Sequence, residues 1–191
     1  MRKAILSVIT GAILLTGCST FAPHQVSVEP LHPSITNQSS LPADLQIQIL
    51  SKDMRSSGLI GFRISRFSDR AEVNLPLPAA EALKQGARIA VVKLGATPVT
   101  SADTHLTVKL TDLEYSATQS ALQKVRLEAS ITVTAEKQGD SYSGNYSTEK
   151  EYQYPTTPKL ADNQKMVNEI LLMTISRAFN DSQLINFLAT P

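Results

Sequence analysis

Few residues in this chain have the types and spacing that do chemistry. It holds one cysteine, Cys18, and three histidines, His24, His32 and His105. A single cysteine makes neither an intrachain disulfide nor a Cys-rich zinc site, and three scattered histidines do not form a ligand set. His24 and His32 fall in a Pro-rich stretch and read as solvated linker residues; His105 reads as a surface residue near a strand start. Carboxylates recur two apart, at Asp112 and Glu114 and again at Glu149 and Glu151. In extended chain such pairs share a face, which is where two carboxyls can divide the roles of acid and base. Nothing beside them in the sequence separates their pKa values, so both pairs are expected at solvated edges. No Gly-rich phosphate loop, HExxH, GxSxG or Cys–His arrangement occurs. Lys and Arg number 18 against 17 Asp and Glu, so no basic surplus exists to neutralise nucleic-acid phosphates. These counts predict a protein that is not an enzyme, with no catalytic residue, no metal, no cofactor and no nucleic-acid partner.

Two features remain. The first is Cys18 itself. Arg2 and Lys3 precede a twelve-residue apolar run, Ala4–Leu15, which ends in Leu15-Thr16-Gly17-Cys18. A membrane-spanning helix takes about 20 apolar residues, so the run fits the core of a secretory signal. Its end resembles the bacterial lipobox, with Leu at −3, a small residue at −1 and the lipidated cysteine. The resemblance implies cleavage between Gly17 and Cys18, then acylation of Cys18 with a diacylglyceryl group and an N-linked chain such as palmitate. At ~0.8 kcal/mol per buried CH₂, three chains hold a protein on a bilayer permanently. Ser19 follows, where an Asp retains such proteins at the inner membrane, and its absence implies the outer membrane, facing the periplasm. The second feature is a run of tyrosines: Tyr142, Tyr146, Tyr152 and Tyr154, four of the five in the chain, share one parity of a strand with little apolar content. Tyr is enriched at interfaces, so they are candidate partner contacts. The alternative is that the rings cover the sheet and the hydroxyls reach water.

The elements that must position these residues follow from periodicity. Residues 1–17 are the signal peptide, 18–43 the lipidated cysteine and a flexible tether carrying four prolines, and 44–191 one domain. Alternation over Leu45–Ile49 and an apolar run at Leu59–Phe67 predict two strands, with a third short piece at Glu72–Leu77. Pro78 opens a helix whose face is Ala80, Leu83, Ala87, Ala90, Val91 and Leu94, stopped by Gly95. Ile89 lies off that face, so Arg88–Leu94 as a strand remains an alternative. Leu106, Val108 and Leu110 share a face, and the parity slips at Thr111–Asp112, which predicts a bulge. Val125, Leu127, Ala129, Ile131, Val133 and Ala135 alternate with polar residues throughout, and one wet face predicts an antiparallel sheet. Gln138-Gly139-Asp140 turns the chain into the tyrosine strand. Asp162 caps a second helix with the stripe Met166, Val167, Ile170, Leu171, Ile175 and Phe179, and Asp181 caps a short last one. The sum is an α+β fold in two layers, an antiparallel sheet of about four to five strands on two main helices.

The lipobox at Leu15–Cys18, the Pro-rich tether, His105–Tyr115, Val125–Ala135, the tyrosine strand and the run from Met166 to Phe187 together resemble the YajG-type family of bacterial lipoproteins. That family supplies an address and an architecture, not an activity. The expected function is a membrane-anchored envelope lipoprotein, held in the bilayer through acylated Cys18, whose periplasmic domain binds or scaffolds a protein partner. The alternative is a small-molecule or lipid-binding module with a pocket between helix and sheet, among Leu83, Val91, Leu127, Ile131, Ile170 and Leu171.

Overall fold

The structure, a computed structural model, describes residues 21–37, 39–77 and 79–190. The signal peptide, Gly17, Cys18, Ser19 and the helix-opening Pro78 lie outside the described residues. In chain order the elements are β1 (His24–Gln25), β2 (Gln46–Asp53), β3 (Leu59–Ile64), β4 (Arg70–Asn74), α1 (Ala80–Lys93), β5 (Thr97–Val99), β6 (Thr104–Gln119), β7 (Gln123–Lys137), β8 (Asp140–Tyr154), α2 (Leu160–Ala178) and α3 (Ser182–Ala189).

β6, β7 and β8 form an antiparallel meander, unbroken between β7 and β8 and interrupted once between β6 and β7, and the helices cover one of its faces. The alternating residues Val125 to Ala135 all turn to that side and are buried. The slip of parity in β6 is a bulge between Leu110 and Asp112, after which Leu113 and Tyr115 take over the buried face. β6 is long enough to hold two partners on its other edge. β2 pairs with its first half, from Ile47–Thr104 to Asp53–Leu110, and β3 with its second half at Gly61–Tyr115 and Phe62–Ser116. Both pairings are parallel, as are β1–β4 and β2–β5, while β3–β4 is antiparallel.

The sheet therefore has eight strands and is mixed, where about four to five antiparallel ones were expected. β1 and β5 are two and three residues long, too short to alternate, and β5 contains Pro98. The parallel pairing of β2 with β6 needs a crossover, and the β3–β4 hairpin with α1 provides it. The helix reading of Arg88–Leu94 holds: α1 runs unbroken to Lys93, and Gly95 ends it at φ 102°. Asp162 sits inside the first turn of α2, accepting from the Lys159 N–H at 2.9 Å, and is not the cap itself. Asp181 does cap α3, accepting from Gln183 N at 2.9 Å.

The largest departure lies before β2. The stretch expected as a flexible tether is a strap laid over α1 and α2. Val26, Leu31 and Leu41 are buried in the core. Side chains of α2 and of the turn that follows it read its backbone: Asn168 accepts from Glu29 N at 2.7 Å, Ser176 Oγ from Ser34 N at 3.1 Å, and Asn180 from Thr36 N at 2.7 Å. Lys93 of α1 donates to Pro33 O at 2.8 Å. Gly86, which weakens α1 on propensity alone, marks where the strap crosses it, since a Cβ there would stand 3.2 Å from Leu31 Cβ. Four prolines and no period gave the appearance of free coil; the strap needs neither period nor ladder, because side chains far along the chain supply its hydrogen bonds.

Candidate functional site

The tyrosines of β8 stand on the helix side of the sheet. Tyr142 and Tyr146 both donate to Asp181 Oδ2, at 2.6 and 2.7 Å, and their hydroxyls lie 3.2 Å apart. The other carboxylate oxygen of Asp181 caps α3, so one side chain ties β8 to the start of that helix. Burial works to raise the Asp181 pKa, but the hydrogen bonds from Tyr142, Tyr146 and Gln183 N outweigh it and hold it below the ordinary value. Tyr146 is 8% exposed, and burial together with these partners pushes its hydroxyl well above a free tyrosine. At the other end Tyr152 donates to Glu169 at 3.1 Å, and Lys150 pairs with the same carboxylate. The Lys150 contact, with help from Tyr152, lowers the Glu169 pKa against the effect of burial. Of the four expected partner contacts, Tyr146 is buried, while Tyr142, Tyr152 and Tyr154 are half-buried. The structure gathers them under the helices, and the hydroxyls of the first three are engaged by α2 and the α2–α3 junction.

The opposite face of the meander is open and polar. Glu114, Glu128 and Glu149 stand in register across β6, β7 and β8. Arg126 bonds Glu149 at 2.7 Å and lies 3.8 Å from Glu128, while Lys124 lies 3.3 Å from Glu151. A depression of 260 Å³ is lined by Glu114, Ser116, Arg126 and Glu128. Further along, hydroxyls and amides pair across strands, Ser130 with Ser147 at 3.1 Å and Thr132 with Asn145 at 2.7 Å. The structure thus brings all four singled-out carboxylates to one open surface, Glu149 and Glu151 beside cations that share their charge and Asp112 opposite Ser130 on β7.

The proposed internal pocket meets a packed core. Leu83, Val91, Leu127, Ile131, Ile170 and Leu171 are each no more than 1% exposed, and none of them lines a described groove. The apolar space is elsewhere: a groove of 410 Å³ between the strap and α1, walled by Val26, Val28, Pro30, Leu75, Leu77 and Ala82. Among the described residues no group of three His, Cys, Asp or Glu converges as a metal site.

Sequence reasoning missed a polar network where the strap begins. Tyr115 donates to Asn163 Oδ1 at 3.1 Å, and Asn163 Nδ2 donates to His24 Nδ1 at 2.8 Å. Beside it the nearly buried Arg63 donates to Ala22 O at 2.7 Å and stacks on Phe21 at 3.9 Å. His24 is half-buried, not a solvated linker residue, and burial followed by the Arg63 charge lowers its pKa. His32 is exposed, as expected. The available signal was Asn163, a polar residue within the apolar stripe of α2. Among the described residues no helix is long and apolar enough to cross a membrane.

Residues 33–189 match the model of a family described as uncharacterized lipoprotein. No curated protein matches the chain. Among solved structures, the chain is similar to a protein from Xanthomonas campestris at 13% identity and a TM-score of 0.46, covering 88% of this chain and 94% of that one. It is similar to a minor lipoprotein from Acinetobacter baumannii at 11% identity and a TM-score of 0.44, covering 78% and 92%. A lipoprotein from Neisseria meningitidis matches at 14% identity and a TM-score of 0.25, covering 74% and 98%.

Proposed function

The chain belongs to the family of uncharacterized lipoproteins of YajG type, and from that membership we propose a non-enzymatic envelope lipoprotein that presents a sheet edge to a protein partner. Signal cleavage at Gly17–Cys18 and acylation of Cys18 anchor it, and the absence of Asp after Cys18 assigns it to the outer membrane, facing the periplasm. The non-enzymatic reading is supported by the carboxylates: Glu149 and Glu151 are matched by Arg126 and Lys124 on an open face, and the tyrosine hydroxyls brace helices.

The observation that carries the partner reading is the outer edge of β8. Among the described residues β8 pairs with β7 alone, over fifteen residues. Arg177 Nη1 donates to Ser147 O at 2.9 Å, so that carbonyl points away from β7. By the alternation of an antiparallel ladder, the odd-numbered residues turn their N–H and C=O groups outward, a template for an added strand. The tyrosine pins hold the template rigid. A photo-crosslinker at Ser143 in cells should capture one protein, and Asn145→Pro should abolish that crosslink. The proline removes an outward donor and spares the ladder to β7. A crosslink undiminished by Asn145→Pro refutes strand addition. For the anchor, Cys18→Ser should abolish palmitate labelling and release the protein from membranes.

The second reading, a small-molecule or lipid-binding module, rests on the groove between the strap and α1. An acyl-chain probe should bind there and be lost in Leu77→Glu; equal binding by both proteins removes that reading.

A further inference from the structure

The end of the molecule at which the strap begins carries features that neither the core nor the β8 edge uses. Phe67 is 84% exposed at the tip of the β3–β4 turn, between Arg66 and Arg70, both exposed. The tip is a built turn. Ser65 N donates to Asp69 O at 2.8 Å, Ser65 Oγ to Asp69 Oδ2 at 2.9 Å, and Ser68 takes φ 69°. Asp69 is therefore spent inside the turn. Gln119 Nε2 donates to Arg66 O at 2.7 Å, which places the β6–β7 turn, with Leu122 42% exposed, beside it. Thr157 Oγ1 reaches Ile64 O at 3.4 Å and brings in the start of α2, where Leu160 is 44% exposed next to an exposed Lys159. Three exposed apolar side chains and three cations thus share one end of the fold. The acidic residues Asp44, Asp103 and Asp140 lie at the other, where β2 and β8 begin and β6 is entered.

The strap enters the fold at this same end. β1 runs parallel to β4 with His24 opposite Val73 and Gln25 opposite Asn74. Carried back three residues, that register sets Phe21 beside Arg70, and Phe21 is held there by Arg63. Cys18 stands three residues ahead of Phe21, which at 3.3–3.6 Å per residue is a reach of about 10 Å. An acylated Cys18 leaves no room for the domain to stand away from its bilayer.

We propose that this end of the fold is a phospholipid-binding face, with the Phe67 ring in the headgroup–acyl boundary and Arg66 and Arg70 on lipid phosphates, orienting the anchored domain with its sheet pointing away from the membrane. Aromatic rings favour that boundary, and cations near an anionic surface are held by its potential. The proposal rests on acylation of Cys18, given above as the anchor. The occupant is the bilayer in which the protein is anchored, because the chain length before Phe21 brings no other surface so close.

The chain contains no Trp, so a single indole reports its own site. The full acylated chain carrying Phe67→Trp is reconstituted into phosphatidylethanolamine–phosphatidylglycerol vesicles with brominated acyl chains. A second chain carries Val92→Trp, at a position 57% exposed near the far end of α1. The expected result is co-flotation of both, with a blue shift and quenching of the Phe67→Trp indole and neither in Val92→Trp; Arg66→Glu added to Phe67→Trp should reduce the quenching. Co-flotation with an unshifted, unquenched Phe67→Trp indole overturns the proposal and leaves the anchor standing. Failure of the acylated chain to float overturns the anchor and the proposal with it. Quenching that Arg66→Glu does not change overturns the phosphate contact.

Discussion

Asp181 ties the hydroxyls of the tyrosine strand to the start of the last helix, beside the packing of Phe187 on Tyr142, and Asp181→Ala measures that joint. Three interactions are lost together. The cap of α3 is worth about 1 kcal/mol. The two tyrosine hydroxyls lose a charged acceptor, and a buried hydroxyl left without a partner costs about 1–3 kcal/mol. Tyr142 and Tyr146 stay 3.2 Å apart and keep one hydrogen bond between them, so the second term is counted once, and the total is about 2–4 kcal/mol. Asp181→Asn keeps the cap, since Asn serves there as well as Asp, and should cost about half as much. The assay is urea unfolding of the detergent-solubilised full chain, followed by tyrosine fluorescence and far-UV circular dichroism. The charge also gives a pH signature. The folded Asp181 pKa lies below its ordinary value, so the stabilisation by its carboxylate is complete above the unfolded value near 4 and fades as pH falls through the folded one. The stability gap between the native chain and Asp181→Asn should therefore be full at neutral pH and close in strong acid. An Asp181→Ala chain within about 0.5 kcal/mol of native, the range of an ordinary surface change, refutes the joint. A gap to Asp181→Asn that is independent of pH refutes the role of the charge.

The second tyrosine-side carboxylate should behave differently. Lys150 and Glu169 are each about one-third exposed, so Lys150→Met should cost less than about 1 kcal/mol, read by the same unfolding curves. Gly61→Ala should be among the most damaging changes in the molecule. Gly61 has φ 155° at the irregularity in β3, and a Cβ there would stand 1.8 Å from Tyr115 O; a loss of about 4 kcal/mol or more should appear as insoluble expression or a collapsed melting temperature. Gly86→Val should lift the strap by driving its side chain into Leu31 and Pro33, costing about 1–3 kcal/mol and exposing residues 22–37 to limited proteolysis while the sheet stays folded.

The parts of the fold legible in the sequence were those in which one residue type repeats against water. β7 could be read residue by residue because its apolar side is unbroken and its partners are all polar. The bulge in β6 could be read because the apolar positions pass from even numbers, Leu106 to Leu110, to the odd Leu113, with Asp112 left on the old parity. The strap could not be read, because Val26, Leu31 and Leu41 follow no period and the backbone between them is held at Glu29, Ser34 and Thr36 by Asn168, Ser176 and Asn180, some 140 residues away. The parity of the tyrosines was legible but not their side. A tyrosine whose hydroxyl reaches water and one whose hydroxyl reaches a carboxylate give the same pattern, and the carboxylates concerned, Glu169 on α2 and Asp181 in the turn before α3, are far along the chain. The carboxylate row needed the register of three strands, which no single strand encodes.

Docking of the strap changes what the anchored domain reaches. As free coil, a tether of some 25 residues spans about 25–30 Å and lets the domain turn in any direction. With the chain held from Phe21 onward, the free length shrinks to about 10 Å, and the reach has to come from the fold. β6 to β8 are fifteen or sixteen residues long, about 50 Å of extended chain, and they run between the strap end and the β7–β8 turn. On the lipid face and strand addition proposed above, the edge of β8 would stand along the membrane normal, and a strand added to it would be held at fixed heights. This yields a graded test. Photo-crosslinkers at Gln153, Glu149 and Ser143 should map to three segments of one partner strand in reverse chain order if it adds antiparallel, or in the same order if it adds parallel. Consecutive sites should be separated by the four or six residues that separate them on β8. Crosslinks from all three positions that fall on one short segment describe a domain that tumbles on a loose anchor, and the docked strap then does not fix its orientation.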